Sequence, residues 1–427
     1  MVSVTVLYFT VFAFASLFYS KFQAPNTRKT ARFLIVVPCF KADDLFDRTL
    51  QAIYSQHYDS RSVDILVVSS GNKPITNMKL AQHNLALHIM PEAEYTDVRS
   101  WQFAMQNCPP LRIYDLVLIV EAGETFGPAY LLEINEAFQL GSKAIQTHRT
   151  YRKRETTSEI MHATFEEINS SIFRMGHVAL GFSSGLLGSG MAFEYRWFRD
   201  NIGRLPQGSD LKAFEAMVFE SRKYVYFLDE TRFFSKPQTD EGTSRVLDRS
   251  SWMYAQWHAL RTHLHLIPRA LVTHNTDLVD KIFQWSLMPR IVMMSIISLM
   301  CLITPWFWWS MAVKWFLSGV WIVFVYAIAT PDYLVNREWE KAYLFAPLLM
   351  LKAFFYALPS GWALVFTRKH KDEWRNDLIE QHGKLKEQGE KLLERGGQLV
   401  GRGGQIAEDI LSHFQLGDTT DAKEEQA

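Results

Sequence analysis

Between Leu116 and Val120 the chain has an apolar run without charge, and it stops abruptly at Glu121-Ala-Gly-Glu-Thr-Phe-Gly-Pro128. A run of this length and type predicts a buried strand that delivers Glu121 and Glu124 to its carboxyl end. In open α/β sheets ligands bind outside that end, so acids held there are candidates for metal or phosphate chemistry. A strand followed by a plain polar turn has the same spacing. The surrounding segments have to decide between the two.

From Arg32 to about Thr150, short β-rich runs alternate with helical spacing. The runs are Phe33–Val37, Val63–Val68, Leu85–Ile89, Leu116–Val120 and Lys143–Gln146; Asp43–Gln56 and Arg99–Gln106 carry apolar residues at helical intervals. The alternation predicts an α/β domain with a doubly wound, mostly parallel sheet and right-handed crossovers. With 427 residues there is room for one large domain or two ordinary ones, and a net charge of zero offers nothing to nucleic acid. Cys39, Cys108 and Cys301 lie far apart without metal spacing, so neither a zinc site nor a disulfide framework is expected.

Apolar residues make up 48% of the chain and cluster toward its second half, which points to a membrane. Residues 1–20 are uncharged and are followed by Lys21, Arg28, Lys29 and Arg32. That polarity predicts a retained N-terminal transmembrane anchor, with a cleaved signal as the alternative. Further membrane helices are expected within 284–366, at 291–309 and 315–330 as a hairpin, with 344–366 interfacial or re-entrant. The segment 32–283 between them is expected to face the cytoplasm from a plasma or inner membrane. The tail, 372–427, carries Leu378, Leu385, Leu392, Leu399 and Ile406 every seventh residue, an amphipathic stripe over 378–411 suited to a partner subunit or the lipid surface; it then turns polar and disordered.

The stretch Val36 to Asp44, with Pro38, Phe40, Asp43 and Asp44, resembles the opening of the inverting family 2 glycosyltransferases, the group of cellulose, chitin and hyaluronan synthases. Blocks similar to the family's follow in order: Arg99-Ser100 before a helix, the Glu121 strand, Gly188-Ser-Gly-Met-Ala-Phe193, Ser209-Asp210, Tyr224–Asp229 and Arg249-Ser-Ser-Trp252. The resemblance covers 32–290 and implies a GT-A fold that transfers a sugar from a nucleotide-sugar donor to a saccharide acceptor, with Mg or Mn as cofactor.

Carried over by position, the resemblance implies a donor site of Pro38, Phe40, Asp43, Arg99, Glu121 and Gly123. The acceptor site would comprise Gly188, Ser189, Gly190, Arg249 and Trp252. Asp210 would be the general base, and Glu121 the metal ligand. Several positions depart from the family. Glu121-Ala-Gly123 stands where Asp-x-Asp is usual, Ser209 replaces an acid, Ser251 and Asp248 stand where the family has Arg and Gln, and Val68-Ser-Ser-Gly71 lacks the uridine-recognising acid. Two readings follow: a membrane-bound transferase building a cell-surface or exopolysaccharide, or a catalytically inactive, transferase-like subunit scaffolding a synthesis complex. A receptor that binds nucleotide-sugars without transfer is a third.

Overall fold

The computed structural model describes residues 1–20, 29–108, 114–151, 157–206, 208–235 and 255–331. All of these belong to one compact unit, Met1–Asp240 with Trp252–Tyr356; a second unit, Glu241–Ser251 with Ala357–Ala427, lies outside them. So do Arg249, Trp252, the expected 344–366 segment and the heptad tail.

Eight strands form one sheet: β1 (Phe33–Phe40), β2 (Val63–Ser70), β3 (Ala86–Ile89), β4 (Leu116–Ile119), β5 (Thr125–Phe126), β6 (Ala144–Thr150), β7 (Met191–Glu194) and β8 (Val225–Phe234). Their order is β3-β2-β1-β4-β7-β6-β8-β5. Strands β3, β2, β1 and β4 pair in parallel. Antiparallel β7 then intervenes between β4 and β6, and β8 resumes parallel to β6. Because β7 reverses direction twice over, β6 points the same way as β4, and their carboxyl ends share one edge. The sheet is therefore mixed, parallel except for β7 and the short β5, which pairs antiparallel with β8.

The uninterrupted apolar run of β1 follows from burial on both faces. Leu34 and Val36 pack with Trp101, Phe198 and Phe214 from helices α4 (Asp97–Asn107), α8 (Tyr195–Ile202) and α9 (Leu211–Glu220). Phe33, Ile35 and Val37 pack on the other face with Phe46 and Leu50 of α2 (Phe46–Tyr54) and Leu131 and Ile134 of α5 (Tyr130–Gln139). Helix α4 begins earlier than the spacing suggests, because the Thr96 side chain caps it by accepting from the Arg99 N–H. It stops before Pro109-Pro110, which cannot continue a helix.

The expected N-terminal anchor is a helix, α1 (Val2–Ser16), of 15 residues. At ~1.5 Å per residue it is about 22 Å long, short of the ~30 Å hydrocarbon layer. It is also not apolar all round in its contacts. Phe9, Phe12 and Ala13 are buried against Ile172, Met294 and Val325. Tyr8 Oη lies 2.8 Å from both His177 Nε2 and Asp280 Oδ1, and the Phe12 ring stacks on His177 at 3.8 Å. A side chain on Gly176 would collide with the Phe12 carbonyl, so the α1 backbone rests directly on the segment that follows the π-turn Ser171–Met175.

The expected hairpin is present with shifted ends: helix Arg290–Ile303, a turn Thr304–Trp306 containing Pro305, and helix Trp309–Ile328, which begins before Lys314 rather than after it. Pro305 removes a helical N–H and ends the first helix early. Among the described residues only Trp309–Ile328, of 20 residues, is long and apolar enough to cross a membrane. Trp306, Phe307, Trp308 and Trp309 at the turn are all exposed.

Candidate functional site

The carboxyl ends of β1, β2 and β4 meet in a knot of side-chain bonds. The Ala122 N–H donates to the Pro38 carbonyl at 3.1 Å, so buried Pro38 forms part of the floor. Asn72 staples β1 to β2: its Nδ2 donates to the Cys39 carbonyl at 2.6 Å and to Ser69 Oγ at 2.9 Å, while its Oδ1 accepts from the Ala42 N–H. Phe40, on the exposed side of β1, stacks on Tyr95 with centroids 4.3 Å apart and planes 12° from parallel. Burial raises the Tyr95 hydroxyl pKa, and the negative charges of Asp97 and Glu121 raise it further, which brings the Phe40–Tyr95 pair within electrostatic reach of the β4 terminus.

After β4 the chain turns sharply. Gly123 takes φ +100°, a left-handed conformation that favours glycine, and its N–H donates to Thr49 Oγ1 at 2.8 Å. Thr49 in turn donates to the Glu124 carbonyl at 2.8 Å. The turn separates the two acids. Glu121 stays half-buried at the edge, whereas the Glu124 carboxylate folds inward, 2% exposed, and accepts from the Glu121 N–H at 3.1 Å. Glu124 Oε2 also shares a short hydrogen bond with Ser189 Oγ, which itself accepts from the Glu121 N–H at 3.1 Å. Burial, helped by the nearby Glu121 charge, pushes the Glu124 carboxyl up to about 8, so it is protonated at neutral pH.

The glycine-rich segment is thus the floor beneath Glu121. Gly188, Ser189 and Gly190 are all buried, with Gly188 at φ +86° and Gly190 at φ +62°. A side chain on Gly190 would strike the Phe233 ring and Thr147 Oγ1. Helix α9 abuts this floor: Leu211 Cδ2 lies 3.5 Å from where a Gly188 Cβ would stand. Its position is fixed by Glu215, which accepts from the Leu186 N–H at 3.0 Å and pairs with Lys281 at 3.1 Å. Asp210 caps the same helix, Oδ1 accepting from the Ala213 N–H at 2.9 Å. Its Oδ2 has no hydrogen-bond partner among the described residues.

The structure therefore sets Phe40, Glu121, Gly123, Gly188, Ser189 and Gly190 at one edge, with the helix that Asp210 caps against the glycine floor. Two further expected donor-site residues, Asp43 and Arg99, are held by bonds of their own. Asp43 Oδ1 accepts from the Lys73 N–H at 2.9 Å and the Thr76 hydroxyl at 2.5 Å, capping helix α3 (Pro74–Leu80). Those bonds, the Thr76 hydroxyl first, hold its carboxyl below the usual range. Arg99 sits in the first turn of α4 with its guanidinium 3.5 Å from Glu94.

Glu121 is the only acid of the Glu121–Glu124 turn that faces outward, since Glu124 is spent inside and Gly123 has no side chain. Among the described residues no three His, Cys, Asp or Glu side chains cluster as a cation site. The donor set does not fit a divalent ion held by the protein alone. Sequence reasoning missed Tyr95, whose place just before the Thr96 cap was its only signal. It also missed Thr49 and Asn72, whose roles lie in bonds between segments distant in the chain.

No protein-family model matches the chain, and no curated protein matches it. Solved structures similar to it include the mannosyltransferase PcManGT from Pyrobaculum calidifontis in complex with GDP-Man and Mn2+, at 13% identity and TM-score 0.47, covering 86% of this chain and 100% of that one. S. aureus TarS 1-349 in complex with UDP-GlcNAc is similar at 11% identity and TM-score 0.41, covering 78% and 91% respectively. At TM-scores below 0.5 the likeness carries no argument about this chain.

Proposed function

We propose that the chain is a membrane-attached glycosyltransferase that moves a sugar, with inversion, from a nucleotide-sugar to the saccharide end of a growing cell-surface or exopolysaccharide. The observation that supports this reading is a stacked aromatic pair, Phe40 and Tyr95, beside Glu121 at the carboxyl edge of parallel strands, over a glycine floor that the helix capped by Asp210 abuts. The aromatic pair offers a face to a nucleobase. Asp210, with Oδ1 fixed by its cap and Oδ2 available, takes the proton from an acceptor hydroxyl as that oxygen attacks the anomeric carbon. The bond from that carbon to the diphosphate breaks, and the nucleoside diphosphate leaves. Arg249 and Trp252, outside the described residues, carry the acceptor roles that the resemblance implies.

Attachment to the bilayer is assigned to the Arg290–Ile328 hairpin, whose exposed tryptophans suit the interfacial layer, with α1 packed beside it. The catalytic face is then cytoplasmic, and the 378–411 stripe serves a partner subunit. One observation favours the scaffold reading instead: the turn after β4 withdraws Glu124 and places a left-handed glycine where a second metal ligand would stand. Turnover of a panel of nucleotide-sugars, with and without Mg or Mn, decides between the two. Transfer abolished in Asp210→Asn supports the enzyme; no transfer from any donor by a folded chain supports the scaffold.

A further inference from the structure

A second group of charges lies farther along the same edge, where β6 ends. Arg149 Nη2 is 3.2 Å from Glu166 Oε2, and Arg174 Nη1 is 3.2 Å from Glu166 Oε1, the latter without hydrogen-bond alignment. Arg174 belongs to the π-turn Ser171–Met175 and also donates to Ser170 Oγ at 2.8 Å. π-turns recur at functional sites. Arg290, the first residue of the hairpin, donates to the Phe165 carbonyl at 3.3 Å and to Asn169 Oδ1, with its guanidinium between the rings of Phe165 and Tyr326.

Among the described residues Glu166 is the one carboxylate that pairs with Arg149 and Arg174, and Arg290 pairs with none. Its neighbour Glu167 is committed to His148 Nε2 at 2.8 Å and to the Thr150 hydroxyl at 3.0 Å, and Asp229 holds the other nitrogen of His148. The guanidinium groups thus outnumber their counter-charge. Each also keeps a buried N–H without an acceptor: Arg149 Nε, Arg174 Nε and Arg290 Nη1. Buried donors are almost always paired, so three orphans on one set of cations call for a missing anion. Arg149, with a quarter of its side chain exposed, offers the way in.

We propose that Arg149, Arg174 and Arg290 form a binding site for a phosphate oxyanion carried by the acceptor. The assignment to the acceptor rests on the transferase reading above. The Phe40–Tyr95 pair lies on the β1 side of Glu121, whereas Arg149 lies on β6, two strands beyond β4 in the other direction. That is about 10 Å between backbones at the usual strand spacing, which sets the arginines on the opposite side of Glu121 from the aromatic pair. Arg290 begins the hairpin, so the phosphate either belongs to a lipid headgroup or to a soluble phosphosaccharide.

The test is calorimetric titration of the full chain in neutral detergent with inorganic phosphate, dodecyl phosphate and a nucleoside diphosphate. A phosphate probe binds the unaltered protein, Arg149→Gln weakens it about tenfold or more, and Glu166→Gln, which removes the competing carboxylate, tightens it. Dodecyl phosphate binding much more tightly than inorganic phosphate marks a lipid headgroup, and equal binding marks a soluble acceptor. Neither probe binding, or both variants leaving the affinity unchanged, overturns the site. Displacement of the phosphate probe by nucleoside diphosphate overturns the acceptor assignment. Phosphate binding that survives in a chain without transferase turnover leaves the site standing while the transferase reading fails.

Discussion

Glu124 and Ser189, 65 residues apart, share a short buried hydrogen bond that ties the turn after β4 to the glycine-rich floor. The bond turns an acid that the sequence leaves ambiguous into an internal brace.

The brace has a pH signature. Glu124 titrates near 8 in the folded chain against a usual 4.5, so the folded state keeps a proton that the unfolded state releases between those values. Stability is fully present below about pH 4.5 and is lost as pH rises toward 8. Glu124→Gln, which mimics the protonated acid and releases no proton on unfolding, should flatten that part of the profile and raise stability at pH 7 by up to about 3 kcal/mol. Chemical denaturation across pH 4 to 9 checks both statements.

His148 behaves in the same direction over a different range. Burial alone would lower it, but the hydrogen bonds that its ring N–H groups donate to Asp229 and Glu167 outweigh burial and raise it from 6.5 to about 9. The stability it contributes is complete below about pH 6.5 and disappears as pH climbs to 9. Replacing it by Gln leaves two buried carboxylates uncompensated, at ~3–5 kcal/mol. The loss should be largest at low pH. Loss of stability between pH 4.5 and 6.5 in the unaltered chain then belongs to Glu124, which denaturation of the two variants in parallel resolves.

Gly123→Asp would restore the acid that an Asp-x-Asp motif places there. At φ +100° a side chain is strained, so the change should cost ~1–2 kcal/mol and add no metal-dependent turnover. Melting temperature together with assays over a manganese series reads both outcomes; a gain of manganese-dependent transfer would contradict the turn geometry.

Asp210→Asn keeps a good capping residue at the start of α9, so stability should fall by less than ~1 kcal/mol. Transfer should fall ~10²- to 10⁴-fold, because the amide takes no proton from the acceptor. Full activity in this variant would remove Asp210 from the reaction.

The exposed run Trp306–Trp309 predicts binding to lipid. Serine in place of Trp306 and Trp308 should reduce co-flotation with zwitterionic vesicles, since amphipathic rings of this kind sit at the headgroup level. Unchanged flotation would detach this turn from the membrane.

The strands were legible where apolar runs were long: Leu116–Val120 lies on β4 almost to the residue, and Phe33–Val37 starts with β1, which runs on to Phe40. The direction of β7 was not, because alternation says nothing about which way a strand runs. Arg149 was hidden for a related reason. The run Lys143–Gln146 reads as a strand that ends before the first charge, whereas β6 continues through His148 and Arg149 to Thr150, sustained by carboxylates from Thr157–Ser170. At the site the types of Glu121 and Asp210 were visible. The inward fold of Glu124 was not, since it depends on a left-handed turn and a serine far along the chain.

The contact between Gly176 and the Phe12 carbonyl bears on how the protein is prepared. A version trimmed to begin near Arg32 discards a wall of the body, not a removable leash. Tyr8 departs from His177 and Asp280, and an apolar trough over Ile172 opens to solvent. Such a fragment is expected to precipitate more readily than the intact chain.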